Sequence, residues 1–269
     1  MRPDKNKDQH IMVDDRIIAR IVSAADVMGE DAVLEIGGGP GNLTKLLAKS
    51  AGQVYTIEKD QKYCELLKEK FAGAVNVKII PGDALNVSLP YFDKIVSNPP
   101  YRILQEFFYR LVKEKRQNFR CCVITVPHGF TKLITSKPTN SEFGVLSALF
   151  YTFYSIEILS AVPKGAFDPE PRVLSNLIRI MPERGEKEPL RLILEYAFTH
   201  EKQKMKNVIM KLLWDHGEVF LKRKITKKEA REIVGSFDGN LKNALDKGVF
   251  QLSANEMSML SKQLLKMRS

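Results

Sequence analysis

The sequence predicts an α/β fold: a mainly parallel sheet with helices on both faces, plus a small all-helical region at the C-terminal end. Three observations lead there. Short apolar runs alternate with segments of helical spacing through the first half of the chain. The apolar runs are continuous, as in strands that are covered on both faces, and do not alternate with polar residues. From Leu190 onward helical spacing dominates and strand patterns stop.

Taken in order, residues 1–8 are a polar, basic lead-in without an apolar signal core. Gln9-His10-Ile11-Met12 then precedes a helix in which Ile17, Ile18, Ile21 and Val22 recur at helical spacing, with Asp14 as N-cap. Ala32 to Ile36 is a buried strand that runs into Gly37-Gly38-Gly39-Pro40-Gly41, and a helix starts at Asn42. The second strand, Gln53 to Ile57, ends on Glu58 and is followed by a helix from Gln61 to Phe71. The third, Val77 to Ile80, leads to Gly82-Asp83-Ala84. The fourth, Lys94 to Val96, delivers Asn98-Pro99-Pro100-Tyr101, and a helix covers Phe107 to Lys115. Cys121 to Val126 is the fifth strand. Beyond Pro127 the pattern loosens, with a polar loop at 137–142 and an apolar helix at 144–150. Two more strands, Ile156 to Val162 and Val173 to Ile180, flank a proline-stiffened loop, Pro163 to Arg172. Residues 182–189 read as a linker, which gives a first domain at 1–185 and a basic helical domain at 186–269. No internal repeat is visible.

Composition narrows the partners. Of 269 residues 44% are hydrophobic, enough for a real core. Lys and Arg number 42 against 32 acids, a net charge of +10. Residues 186–269 hold 17 basic and 11 acidic side chains, so six of those ten charges lie there. Such a surplus suits a polyanion such as nucleic acid, or an anionic membrane face, while a solvated basic surface is the plainer alternative. No apolar run approaches the ~20 residues that cross a bilayer, so a soluble protein with no membrane partner is expected. Cys64, Cys121 and Cys122 form neither a disulfide framework nor a zinc pattern, which points to reduced thiols in a cytoplasmic setting and no metal. His128, His200 and His216 lack ligand spacing and read as structural, and Trp214 reads as core.

In a parallel sheet, ligand-binding residues gather at the carboxyl ends of the strands, and the candidates stand there. The glycine turn lets backbone approach a ligand closely. Its G-x-G-x-G spacing departs from the G-x-G-x-x-G of dinucleotide sites. Glu35 before it would repel a pyrophosphate and suit a ligand with positive charge, such as S-adenosylmethionine. Glu58 can accept both hydroxyls of a ribose, or be an ordinary capping acid. Asp83 can accept from an adenine amino group, with Ala84 leaving room for the ring, or simply cap a loop. The Asn98 oxygen and the carbonyl before a proline can both accept from an NH2, and Tyr101 can stack on the ring that bears it. A proline-rich turn with no ligand is the alternative for that stretch.

Together, VLEIGGGPG, Glu58, Gly82-Asp83-Ala84 and Asn98-Pro99-Pro100-Tyr101 resemble the class I S-adenosylmethionine-dependent methyltransferases, whose sheet is Rossmann-like. More narrowly, the chain resembles the ribosomal RNA adenine dimethyltransferases, which modify paired adenines near the 3′ end of small-subunit rRNA. Gln9-His10-Ile11-Met12, the loop Phe167-Asp168-Pro169-Glu170-Pro171-Arg172-Val173-Leu174-Ser175, Phe198-Thr199-His200 and Val249-Phe250-Gln251-Leu252-Ser253 carry that narrower likeness, in an archaeal or eukaryotic style. Departures are Asp8 in place of a glycine, Pro99 at the second place of N-[LI]-P-Y, a diluted basic run after His200, and Pro127-His128-Gly129-Phe130 where a Lys/Glu-rich motif is usual.

The resemblance implies that His10 and Met12 close over S-adenosylmethionine, Gly37 and Gly39 line its methionine part, Glu58 binds the ribose and Asp83 the adenine. It places Asn98, with Pro99 and Tyr101, at the point of methyl transfer. Phe167 is then a candidate for the second face of the substrate base, with core packing as its alternative. The implied activity is N6,N6-dimethylation of two adjacent adenines of 16S rRNA by a monomer acting on a 30S precursor, with a role in its biogenesis. Methylation of another nucleic-acid amine, such as a 23S rRNA adenine, and an RNA-binding assembly factor with secondary catalysis are the alternatives.

Overall fold

A computed structural model describes residues 10–137, 140, 142–183 and 188–267. Its strands are β1 (Ile11–Met12), β2 (Ala32–Ile36), β3 (Gln53–Glu58), β4 (Val77–Pro81), β5 (Lys94–Ser97), β6 (Cys121–Pro127), β7 (Tyr154–Val162), β8 (Phe167–Asp168) and β9 (Ser175–Pro182). Between them run α1 (Asp15–Ala24), α2 (Asn42–Ser50), α3 (Gln61–Lys70), α4 (Leu104–Lys113), α5 (His128–Ile134) and α6 (Val145–Phe153). Six helices follow: α7 (Glu188–Thr199), α8 (Met205–Asp215), α9 (Gly217–Leu221), α10 (Lys227–Gly235), α11 (Gly239–Leu245) and α12 (Ala254–Lys266).

Seven strands form one sheet in the order β4-β3-β2-β5-β6-β9-β7. β4 through β6 pair in parallel, and β9 joins β6 antiparallel with Pro127 opposite Ser175. The expected mainly parallel α/β sheet is therefore present. The strand order turns between β2 and β5, so the loops after those two strands bound a crevice, the place where such sheets bind ligands. A separate two-stranded ribbon pairs β1 with β8, Met12 opposite Phe167.

The chain divides into two compact units. The first holds the sheet to Thr131 and then 155–182. The second joins 112–114 and 132–154 to the helices from 183 onward. In the second unit α6 is buried almost throughout and packs on α7 and α12, which is why 132–154 groups with the C-terminal helices.

Two polar clusters fix the first unit. Asp14 caps α1 as expected, accepting from the Arg16 N–H at 2.9 Å. The other end of α1 has no basic residue in its last turn. Instead Arg179 of β9 donates twice to the Ala24 carbonyl, Cys121 of β6 donates to that of Ala25 and Lys94 of β5 to that of Asp26. Lys94 also meets the fully buried Asp31 carboxylate at 2.9 Å, where Arg120 is the second cation. The sheet end opposite the crevice is thus locked by side chains. Among the described residues no helix is long and apolar enough to cross a membrane.

Candidate active site

The crevice holds a pocket of about 700 Å³. Its wall is built from the β1 segment, the turn after β2, the end of β3 and the loop after β5. His10, Met12, Gly37, Gly39, Glu58, Asn98, Pro99 and Tyr101 all line it. Eight residues chosen from separate strand ends thus meet at one cavity.

The glycine turn shapes the floor. Gly39 has φ +51, and nothing would meet a side chain there within 4 Å, so its bare backbone faces open space. Gly38 is the opposite case: a Cβ would lie 2.3 Å from Thr56 Cγ2, so this glycine allows the turn to press onto β3. Glu58 secures the turn, accepting from the Gly39 N–H at 2.9 Å with one oxygen and from the Asp60 N–H at 2.8 Å with the other. Glu58 is 5% exposed and keeps lone pairs for hydroxyl donors.

Beneath the turn lies Glu35, 1% exposed. One of its oxygens accepts from the hydroxyls of Thr44 at 2.6 Å and Thr56 at 2.8 Å. Burial pushes its carboxyl up to about 7, against the opposing pull of those two hydroxyls and with the help of the Glu58 charge. The pocket wall therefore carries two acids and neither Lys nor Arg, on a protein of net charge +10. Such a donor set fits a cationic ligand and repels a pyrophosphate, so the residues present fit S-adenosylmethionine.

Over the pocket passes the β1 segment. Asn98 donates from Nδ2 to the His10 carbonyl at 2.8 Å, and Asn42 donates from its own Nδ2 to that of Met12 at 2.9 Å. His10 donates from Nδ1 to the Pro169 carbonyl at 2.9 Å. Asn98 is held from its other end as well, because Oδ1 accepts from the Thr125 hydroxyl of β6. The carboxamide plane is thereby set, with one Oδ1 lone pair still available. Tyr101 is anchored through its hydroxyl, 2.7 Å from Ser175 Oγ.

Two expected contributors stand elsewhere. Phe167 is 3% exposed and packs in the core with Ile18, Ile21 and Val22 of α1, so neither ring face is open to a substrate base. Of its two readings, core packing is the one observed: opposite Met12 in the ribbon, it belongs to the same buried cluster as the apolar residues of α1. Asp83 is not part of the pocket wall. It pairs with Lys59 at 2.7 Å and accepts from the Leu85 N–H at 3.0 Å, and the Lys59 ammonium holds its carboxyl below the usual value. Trp214, expected in the core, is 42% exposed under Lys227, 4.1 Å from its ring centroid. His200 is structural as expected, stacked on Tyr196 and bonded to its carbonyl.

Sequence reasoning passed over Asn42, Tyr63 and Thr125. Thr125 had a signal, a polar residue within the apolar run Cys121 to Val126 and one step past the register partner of Ser97. Among the described residues no cluster of three or more His, Cys, Asp or Glu is placed to hold a metal ion.

Comparison with known proteins agrees with this architecture. The family model described as ribosomal RNA adenine dimethylase matches residues 4–233. A probable ribosomal RNA small subunit methyltransferase A of Methanosarcina acetivorans is 36% identical over 208 residues, 76% of each chain. Its counterpart in Methanococcoides burtonii is 31% identical over 267 residues, 97% of this chain and 93% of that one. Among solved structures, a dimethyladenosine transferase from Plasmodium falciparum superposes with a TM-score of 0.64 over 96% of both chains at 22% identity. The chain belongs to the ribosomal RNA adenine dimethylase family, S-adenosylmethionine-dependent methyltransferases.

Proposed function

We propose that the protein methylates N6 of two adjacent adenines near the 3′ end of small-subunit rRNA, giving N6,N6-dimethyladenosine. The observation that carries this reading is the doubly held carboxamide of Asn98 at the wall of an acid-lined pocket. When bound, S-adenosylmethionine supplies an electrophilic methyl group. Glu58 would hold its ribose, the turn at Gly37 and Gly39 its methionine part, and the β1 segment with His10 and Met12 would cover it. Asp83 reaches adenine only through acceptor sites that Lys59 and Leu85 leave open.

The chain's own part in the chemistry is positioning. An adenine N6 lone pair is delocalised into the ring and is a poor nucleophile. Asn98 Oδ1 and the Pro99 carbonyl accept the two N6 hydrogens and draw the nitrogen toward tetrahedral geometry, which frees the lone pair for in-line attack. Their aim is fixed in advance by Thr125, by His10 and by the rigid backbone of Pro99-Pro100. Tyr101 supports one face of the base. On the second transfer one hydrogen has been replaced by methyl, so a single acceptor suffices.

The catalytic domain is proposed to span 1–185 and the basic helical domain 186–269 to grip rRNA phosphates, with a monomer acting on a 30S precursor. Incubating the protein with labelled S-adenosylmethionine and undermethylated 30S subunits, then mapping the label, tests the reading. Label on the paired small-subunit adenines is expected. Label on a large-subunit adenine would change the substrate, and tight subunit binding without transfer would make the protein an assembly factor.

A further inference from the structure

The loop between β8 and β9 carries an apolar tip beside the pocket. Arg172, Val173 and Leu174 are exposed in a row between buried Pro171 and buried Ser175. Val173 is 50% and Leu174 55% exposed, two adjacent branched apolar side chains open to solvent. The backbone below them is tied down. Lys164 donates from Nζ to the Arg172 carbonyl at 2.5 Å, and the His128 N–H donates to that of Leu174 at 2.8 Å. The next residue, Ser175, pairs with Pro127 and meets the Tyr101 hydroxyl. The apolar tip therefore stands beside the anchor of the ring that lines the pocket. Arg172 flanks it, and Arg102 follows Tyr101. Both arginines are exposed, and neither side chain makes a hydrogen bond or ion pair among the described residues.

We propose that Val173 and Leu174 are a wedge that enters the RNA stack as the target adenine leaves it, with Arg172 and Arg102 on the flanking phosphates. This rests on the adenine-in-RNA reading above. A base must leave its stack to reach Asn98. The vacated step exposes the faces of its neighbours, and an apolar side chain on a fixed backbone fills it without loop-ordering cost, as apolar wedges of other nucleic-acid-binding proteins do. Two exposed side chains are far too small a patch for a stable protein interface. The flanking cations match a polyanion.

The test uses the full chain and 30S subunits rebuilt with a ligated 3′ rRNA segment, either natural or with abasic nucleotides flanking the target adenine. On natural subunits the double variant Val173→Ala/Leu174→Ala should lose about tenfold or more in transfer rate. On the abasic subunits, where no stack has to be opened, it should keep the wild-type rate. Leu174→Met should keep most activity on both. Affinity for S-adenosylmethionine and the melting temperature should not move, because both side chains are exposed. Equal losses on the two substrates, or no loss on either, would overturn the wedge. No transfer by the wild type to natural subunits would instead overturn the substrate reading, and the wedge with it.

Discussion

Asn98 shows how a polar side chain is made into a tool. Left to itself a carboxamide rotates, but here the His10 carbonyl accepts from its Nδ2 and Thr125 donates to Oδ1. Asn98→Ala should therefore lower kcat by orders of magnitude while the affinity for S-adenosylmethionine, measured by calorimetry, weakens far less. Equal loss of both would make Asn98 a cofactor-holding residue only. Thr125→Val should cost about tenfold in rate, since it leaves the acceptor in place and removes one restraint. Glu35 behaves differently. Its folded-state value of about 7 lies above the ordinary 4.5, so the folded protein binds this proton more tightly than the unfolded chain. Its contribution to stability is complete below pH 4.5 and declines as pH rises toward 7, by on the order of 3 kcal/mol. Glu35→Gln should flatten that decline in urea titrations across the window, and an unaltered slope would refute it. Sequence alone pointed to Asn98 and Glu35 because their places at strand ends are set by the alternation of elements. It could not assign Phe167, because an aromatic on a loop is equally suited to a substrate face and to a gap over α1, and only packing decides.

At the level of elements, the buried parallel strands were legible because their apolar runs are continuous, and each strand of the seven-stranded sheet lies within two residues of its expected bounds. Helix α5 was not legible, since it opens His128-Gly129 and is only seven residues long. The β1–β8 ribbon was invisible for another reason. Two-residue strands are too short to show a period, and their pairing spans the chain from Met12 to Phe167. Yet this ribbon carries the segment over the pocket, and side chains from elsewhere hold it. Asn42 is the clearest case, a first helical residue whose amide reaches the Met12 carbonyl. Asn42→Ala should release one edge of the segment and weaken S-adenosylmethionine binding by about fivefold to tenfold, the worth of one hydrogen bond. Thermal stability should fall only slightly. An unchanged dissociation constant would mean that pairing with β8 alone holds the segment.

Across the whole molecule charge is divided by task. The pocket wall holds two acids and neither Lys nor Arg, while six of the ten net positive charges lie in 186–269. The densest basic run there, Lys222 to Lys228, is already engaged: Arg223 meets Glu229 at 2.8 Å, Lys224 meets Glu218 at 3.8 Å, and Lys228 meets Glu232 at 4.0 Å. These pairs are exposed and contribute little to stability, so a phosphate can replace the carboxylate at small cost. Lys227 over the exposed Trp214 adds a ring beside that charge, suited to stacking on a base. Replacing Lys222, Lys224, Lys227 and Lys228 together by Gln should leave S-adenosylmethionine affinity and melting temperature nearly unchanged. It should also flatten the dependence of log K for RNA on log salt by roughly 0.9 for each phosphate that is no longer neutralised. The Val173/Leu174 variant removes no charge, so its salt slope should equal that of the wild type. If the lysine variant kept the wild-type slope, phosphate binding would belong to other cations, and the run at 222–228 would be a solvated surface between α9 and α10.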